Sequence, residues 1–337
     1  MLYVTTRNKA DSYTAYRALH EGTASDGGQF VPLRLPVIPS DQLEAMKEHS
    51  FHENVAQILN IFFSAGVTCW DVEFSLGRKP VKFTDMGRKI LAAELWRNTE
   101  SDYQVGAMRL YGRLCDALGQ GQLPTGWASI AIRIAYLFGV YAELAKNNIP
   151  GLDVAASGKD MELVMALWYA KKMGLPFGKI ICGTNENCWM WDLLHKGELT
   201  FGMPVITDTP DMDVIPSGIE RLIYGTLGLE ESKRYLDCAY RKATYKLKAE
   251  QVSVLNSGLF ASVVGNRRMK DLIASAYSTH NYLLDPYTAI SYGALQDYRA
   301  KTGENNVTLL LVEGNPAHYA SVISRIVGLP EEQISNQ

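Results

Sequence analysis

Amines, carboxylates, thiols and imidazoles are the groups in this chain that could carry out chemistry, and their spacing limits what each can do. Lys82-Phe83-Thr84-Asp85 sets an amine beside a hydroxyl. In an extended segment Lys82 and Thr84 face the same side. A desolvated lysine is a nucleophile that can form an imine, whereas a threonine hydroxyl cannot. Asp85, Glu186 and Glu313 are candidate acid–base groups, because neighbouring carboxylates can split their pKa values and so divide the two roles. Ser157-Gly158-Lys159-Asp160-Met161-Glu162 has the look of a strand-to-helix junction. The free amides of a helix N-terminus suit an anion. Lys159 would attract a phosphate there, but Asp160 and Glu162 place carboxylates in the first turn, where they cap the helix and repel one. The junction therefore reads as internally capped.

The five cysteines (Cys69, Cys115, Cys182, Cys188, Cys238) form no close pair and have no histidine at metal spacing. They read as buried free thiols in a reducing compartment. Six scattered histidines show no metal spacing either, and no nucleophile elbow is present. With 33 Lys and Arg against 36 Asp and Glu, there is no basic excess to draw in nucleic acid or an anionic membrane. The opening Met-Leu-Tyr-Val-Thr-Thr-Arg lacks a charged-then-apolar leader, and no apolar run reads as long enough to span a bilayer. The expectation is a cytoplasmic protein.

The elements that must position these groups alternate between strand and helix. Strands are expected over 2–6, 152–156, up to Cys182, and over 307–312, where the continuous apolar run suits a strand buried on both faces. Helices are expected over 40–47, 53–63, 127–144, 161–173 and 230–249. Residues 71–83 read as extended and mixed. Asp85 reads as the N-cap of a helix to about Arg97, with Met86, Ile90, Leu91, Ala93 and Leu95 as its apolar residues. Arg133 is expected to be solvated or at the core edge. The polar loops around Asn185 and Asp208 suit the carboxyl ends of parallel strands, or hold loop geometry through caps and Asx turns. The pattern is that of an α/β protein with a largely parallel sheet flanked by helices.

Several of these strings together resemble the threonine synthase family. Gly22-Thr23-Ala24-Ser25-Asp26-Gly27-Gly28-Gln29-Phe30-Val31-Pro32 is similar to its N-terminal signature, and Gly183-Thr184-Asn185-Glu186-Asn187 to its Ala-Thr-Asn-Glu-Asn. So are Thr207–Val214, Pro216-Ser217-Gly218-Ile219-Glu220-Arg221-Leu222 and Asp285-Pro286-Tyr287-Thr288-Ala289, with Tyr287 in place of a His. The resemblance implies the type II fold of pyridoxal phosphate (PLP) enzymes, tryptophan synthase beta-like, with a reduced small domain. It divides the chain into an N-terminal segment (1–97), a shortened remnant of the small domain (98–125) and a large α/β domain (126–337).

The departures fall where the family handles its cofactor. Phe83-Thr84-Asp85 resembles Phe-Lys-Asp, with Thr84 at the imine lysine. Gly126-Trp127-Ala128-Ser129-Ile130 stands for Asn-Trp-Ala-Arg-Ile, so the Asn and Arg associated with the substrate phosphate are replaced. Ser157 and Gly158 remain from the Ser-Gly-Asn-Phe-Gly phosphate loop, but its second glycine does not, with Glu162 at or beside its place, and Glu313 replaces the threonine that meets the pyridine nitrogen. A Ser-Gly-Asp-Thr-Gly loop is absent.

The expectation is a threonine synthase-like protein without PLP chemistry and with no cofactor, a pseudoenzyme acting as a small-metabolite-binding or partner subunit. Ser157, Gly158, Lys159, Asn185, Glu186 and Glu313 would line the remnant pocket. Its ligand would be an amino acid or a phosphorylated metabolite, and it would form a homo-oligomer or pair with an active enzyme. The alternatives are a PLP-dependent lyase using Lys82, or another reaction in a remodelled pocket.

Overall fold

The computed structural model describes residues 1–98, 103–118, 126–146, 152–212, 215–216 and 218–336. Strands β1 (Leu2–Thr5), β2 (Tyr13–Thr14) and β3 (Phe30–Pro32) form a small antiparallel sheet. The central sheet is built from β4 (Lys82–Asp85), β5 (Ile90–Glu94), β6 (Leu152–Ser157) and β7 (Phe177–Thr184), with β10 (Leu259–Val263) and β11 (Thr308–Val312) following later in the chain. Between them β8 (Glu198–Leu199) and β9 (Tyr245–Lys246) pair as a short antiparallel ribbon. The order in the central sheet is β10-β7-β6-β11-β5-β4, and only β4 runs antiparallel to its neighbour.

Two-residue alternation splits the core into two layers. Val154, Ala156, Ile180, Cys182, Leu309 and Leu311 face one side; Ala155, Ile181, Leu310 and Val312 face the other. Because both faces are covered, β6 and β11 are buried at every position, as the apolar run at 307–312 leads one to expect. The first layer packs against the helices Phe51–Phe63, Trp127–Ala145 and Met161–Lys172, the second against Asn266–His280 and Pro286–Thr302. Helix Trp127–Ala145 sits so close to Phe51–Phe63 that a Cβ at Gly139 would lie 2.6 Å from the Phe51 ring. At 19 residues this helix is long and apolar enough to cross a membrane, contrary to the sequence expectation, but it is 89% buried as a core helix.

The expected helix from Asp85 to Arg97 is instead the β4–β5 hairpin. Gly87, Arg88 and Lys89 adopt φ of +76°, +51° and +59°. Three successive left-handed residues cannot sit inside a right-handed helix. Met86 N donates to Ile90 O at 2.9 Å, and Ile90 N to Gly87 O at 3.0 Å, closing the turn. Of the apolar residues that suggest a helical stripe, Ile90, Leu91 and Ala93 lie in β5, Met86 lies between the two strands and Leu95 directly after β5, and all but Leu91 are buried. Residues 71–83 are not wholly extended: Thr68 and Asp71 form a reciprocal cap on a helix over Cys69–Leu76. The charged helix expected over 230–249 runs Leu229–Tyr240, and strand β10 had no counterpart in the sequence reading. Within 98–125 the described residues form the helix Tyr103–Leu118.

Candidate functional site at the carboxyl end of the sheet

Strands β5, β6, β7, β10 and β11 all end at one edge, the position where open α/β sheets bind ligands. Ser157 closes β6, and Glu313 directly follows β11. The Ser157 hydroxyl donates to Glu313 Oε1 at 3.2 Å, while the other carboxylate oxygen is buried without a hydrogen-bond partner. Glu313 is 5% exposed. Burial first, and then the charges of Asp160 and Asp285, hold its carboxyl well above the usual range against the opposing pull of Lys159 and Arg133. Asp285 is raised by burial too, although it caps the helix Pro286–Thr302 by accepting from Tyr287 N and Thr288 N.

The junction after β6 is capped from within. Asp160 Oδ1 accepts from Leu163 N at 3.0 Å, and its other oxygen takes Arg133 Nε at 2.8 Å and Nη2 at 2.7 Å. Arg133 is therefore not a solvated or core-edge residue. It is 6% exposed, lies 3.3 Å from Glu162, and bonds the carbonyl and hydroxyl of Ser129. The Ser129 hydroxyl donates in turn to Glu162. Burying this charge is tolerable because the guanidinium is paired with Asp160 and Glu162 and hydrogen-bonded to Ser129. Gly158 N donates to Gly183 O at 2.8 Å, so that amide is also engaged. A Cβ on Gly158 would stand 3.1 Å from the Trp189 ring, which packs across the loop. Lys159 Nζ lies 3.8 Å from Asp211 and 4.6 Å over the Tyr287 ring, and the Tyr287 hydroxyl donates to Asp211 at 2.9 Å.

Thr84 and Lys82 share one face of β4, as alternation requires, and both reach Glu94 at the end of β5. Thr84 Oγ1 donates to Glu94 Oε1 at 2.9 Å, and Lys82 Nζ lies 3.7 Å away with its side chain 54% exposed. Arg97 and the Tyr282 hydroxyl complete the shell of Glu94. Neither Glu94 nor Tyr282 stood out in the sequence. Glu94 ends an apolar run, where an acidic residue looks like ordinary punctuation, and Tyr282 meets it only across 188 residues.

Asp85 does not join the other carboxylates. It pairs with Leu91, three positions back from Glu94 and thus about 10 Å toward the opposite edge. Its side chain accepts from Gly87 N in the turn, so it caps no helix. Glu186 and Glu313 follow β7 and β11, two strands apart, at roughly 10 Å by strand spacing. Glu186 accepts from Asn266 N at 2.6 Å, at the start of helix Asn266–His280. Asn185 donates to Thr207, and to the Thr209 hydroxyl and carbonyl, while Asn187 exchanges two bonds with Val205. These loop residues hold loops and caps. Asp213, Val214 and Ser217 lie outside the described residues.

The residues at this edge do not fit PLP. The helix N-terminus that would cradle its phosphate carries Asp160 and Glu162, the arginine beside it is consumed by Asp160, and Thr84 stands on an edge strand bonded to Glu94. Cavities of about 710 and 650 Å³ open elsewhere, and neither is lined by Ser157, Gly158, Lys159 or Glu313. Among the described residues no cluster of His, Cys, Asp and Glu is arranged to hold a metal ion. All five cysteines are free, and burial pushes Cys182 up to about 12, which removes it as a thiolate.

Comparison with known proteins locates this architecture. Residues 2–73 match the family model "Threonine synthase N terminus". Threonine synthase from Pseudomonas aeruginosa is 31% identical over 196 residues, which cover 54% of this chain and 39% of that protein. The human protein "Threonine synthase-like 1" is 23% identical over 214 residues, covering 60% of this chain and 28% of its own length. The matched stretch thus spans well under half of either relative. The crystal structure of PLP-bound threonine synthase from Brucella melitensis superposes with a TM-score of 0.87 at 19% identity, covering 98% of this chain and 92% of that one. The chain is similar to threonine synthases in sequence and has their fold, that of the type II PLP enzymes.

Proposed function

We propose that this chain is a threonine synthase-like protein that has lost PLP-dependent catalysis and serves as a small-metabolite-binding or partner subunit. The observation that carries this reading is the Arg133–Asp160–Leu163 N chain, which occupies the helix N-terminus a cofactor phosphate would need. The sequence adds support. Thr84 stands where the resemblance sets the imine lysine, and no lysine occurs between Lys89 and Lys146. No residue of that stretch can form an imine.

The ligand class that suits this edge is an ammonium-bearing molecule such as an amino acid, rather than a phosphorylated one. Asp160 and Glu162 at the helix N-terminus and Asp211 beside Lys159 disfavour a phosphate, and the unpartnered oxygen of the buried Glu313 carboxyl can accept a hydrogen bond from an ammonium. An amine relocated to Lys82 is the rival reading. Its side chain is more than half exposed and lies 3.7 Å from Glu94, so it is not the desolvated amine that such chemistry needs.

Titration of the purified chain with PLP, followed by absorbance, tests the proposal. The expected outcome is the spectrum of the free aldehyde with no imine band and no rise in melting temperature. A saturable imine band overturns it.

A further inference from the structure

The cavity of about 710 Å³ lies at the opposite edge of the sheet from the candidate site, beneath the β4–β5 turn. Arg88 and Lys89 from the turn and Arg299 from helix Pro286–Thr302 line it, and among the described residues no carboxylate does. Its walls are Ile90, Leu295 and the ring of Tyr292. Three cations beside one apolar hollow with no carboxylate in its lining are an unusual grouping.

Arg299 and Lys89 are held there by contacts to neutral groups, and the Arg88 side chain is not. Arg299 donates to the carbonyls of Arg88 (2.7 Å), Lys89 (3.3 Å) and Asn306 (2.9 Å), and to the Thr308 hydroxyl (3.1 Å). All four acceptors are neutral, so the guanidinium fixes the turn while keeping its charge, and its Nε is buried without a partner. Lys89 Nζ donates to the Asn305 carbonyl, again a neutral group. The Arg88 guanidinium makes no hydrogen bond or ion pair among the described residues. Arg88 and Lys89 both hold φ near +50° to +60°, the left-handed region that disfavours residues other than glycine. Of the nearby acids, Asp85 accepts from Gly87 N, and Asp153, which accepts from Lys179 N and Asn306, is a carboxylate behind the cavity whose charge acts on Arg299.

We propose that this cavity is a binding site for a small oxyanion carried on an apolar or ring-shaped body, with Arg88 as the free fork, Lys89 and Arg299 as the supporting charges, and Tyr292 and Leu295 against the body. A guanidinium fork matches a phosphate or carboxylate through two parallel bonds. The site is independent of the reading given above for the carboxyl edge.

The test uses the full chain and phenyl phosphate as the probe, with binding followed by calorimetry and inorganic phosphate and benzoate as companion arms. Phenyl phosphate is expected to bind saturably and about tenfold more tightly than inorganic phosphate, because only it fills the apolar wall. Arg88→Glu and, separately, Lys89→Gln are each expected to weaken it about tenfold or more with an unchanged circular dichroism spectrum. Benzoate binding as tightly as phenyl phosphate also supports the site and assigns the anion as a carboxylate. No saturable binding of either organic probe at millimolar concentration, or binding undiminished in Arg88→Glu, overturns the proposal. Equal affinity for inorganic phosphate and phenyl phosphate overturns the role of the apolar wall.

Discussion

At the scale of single residues, charges at the carboxyl edge pair with one another, and one oxygen of Glu313 is left without a partner. Arg133 is the keystone, because its guanidinium neutralises Asp160 and braces Ser129 and Glu162 in a buried setting. Replacing it with methionine keeps the volume and strands Asp160. The Arg133→Met variant is expected to lose about 3–5 kcal/mol in urea unfolding, and Arg133→Met/Asp160→Asn to recover part of that loss. Glu313 provides a second residue-scale test. Its folded pKa is raised by burial above the unfolded value, so its stabilising contribution is complete below about pH 4.3 and is lost as pH rises through the folded pKa. Glu313→Gln removes that loss. The urea midpoint of the variant should therefore gain on wild type with rising pH, at up to about 1.4 kcal/mol per unit across the titration window, and then level off. A constant difference between the two at all pH values contradicts the assignment. The sequence named Glu313, Ser157 and the internal cap by Asp160. Arg133 was misplaced because nothing local distinguishes a solvated arginine from one whose partner lies 27 residues on.

At the scale of elements, the β4–β5 hairpin is where sequence and structure diverge most. Residues 86–95 carry apolar side chains dense enough to fit either a helix or a strand buried on both faces, and periodicity does not separate those cases. The deciding signal was the Gly87-Arg88-Lys89 turn, of which only Gly87 advertises a left-handed conformation. The correction also moves Thr84 from the approach to a helix onto an edge strand, next to Glu94. If the strain in the turn is maintained for the cations it presents, Arg88→Gly should raise stability by up to about 1 kcal/mol in urea unfolding while losing the phenyl phosphate affinity. Loss of stability in that variant would show that the turn tolerates arginine without strain. Strands β6 and β11 were legible because their runs are continuous and apolar. Strand β10 was not, since Leu259-Phe260-Ala261-Ser262-Val263 is short and follows directly on a helix.

At the scale of the whole molecule, the chain has the fold of threonine synthases, and the strings that resemble the family fall on turns, caps and strand ends. Asn185, Glu186 and Asn187 illustrate why: their side chains bond backbone and hydroxyl groups across the loops, so they serve the fold whatever the pocket does. The resemblance thus made the architecture legible, while the filling of the pocket depended on contacts between residues far apart in sequence. The central claim is that the retained architecture no longer holds PLP through a lysine. It is tested most directly by incubating the native chain with PLP, reducing with borohydride and mapping the peptides by mass spectrometry. The account predicts only scattered, substoichiometric labelling of surface lysines, no greater than in the denatured chain. A stoichiometric adduct on one lysine of the folded protein, at Lys82 or Lys159, would contradict it.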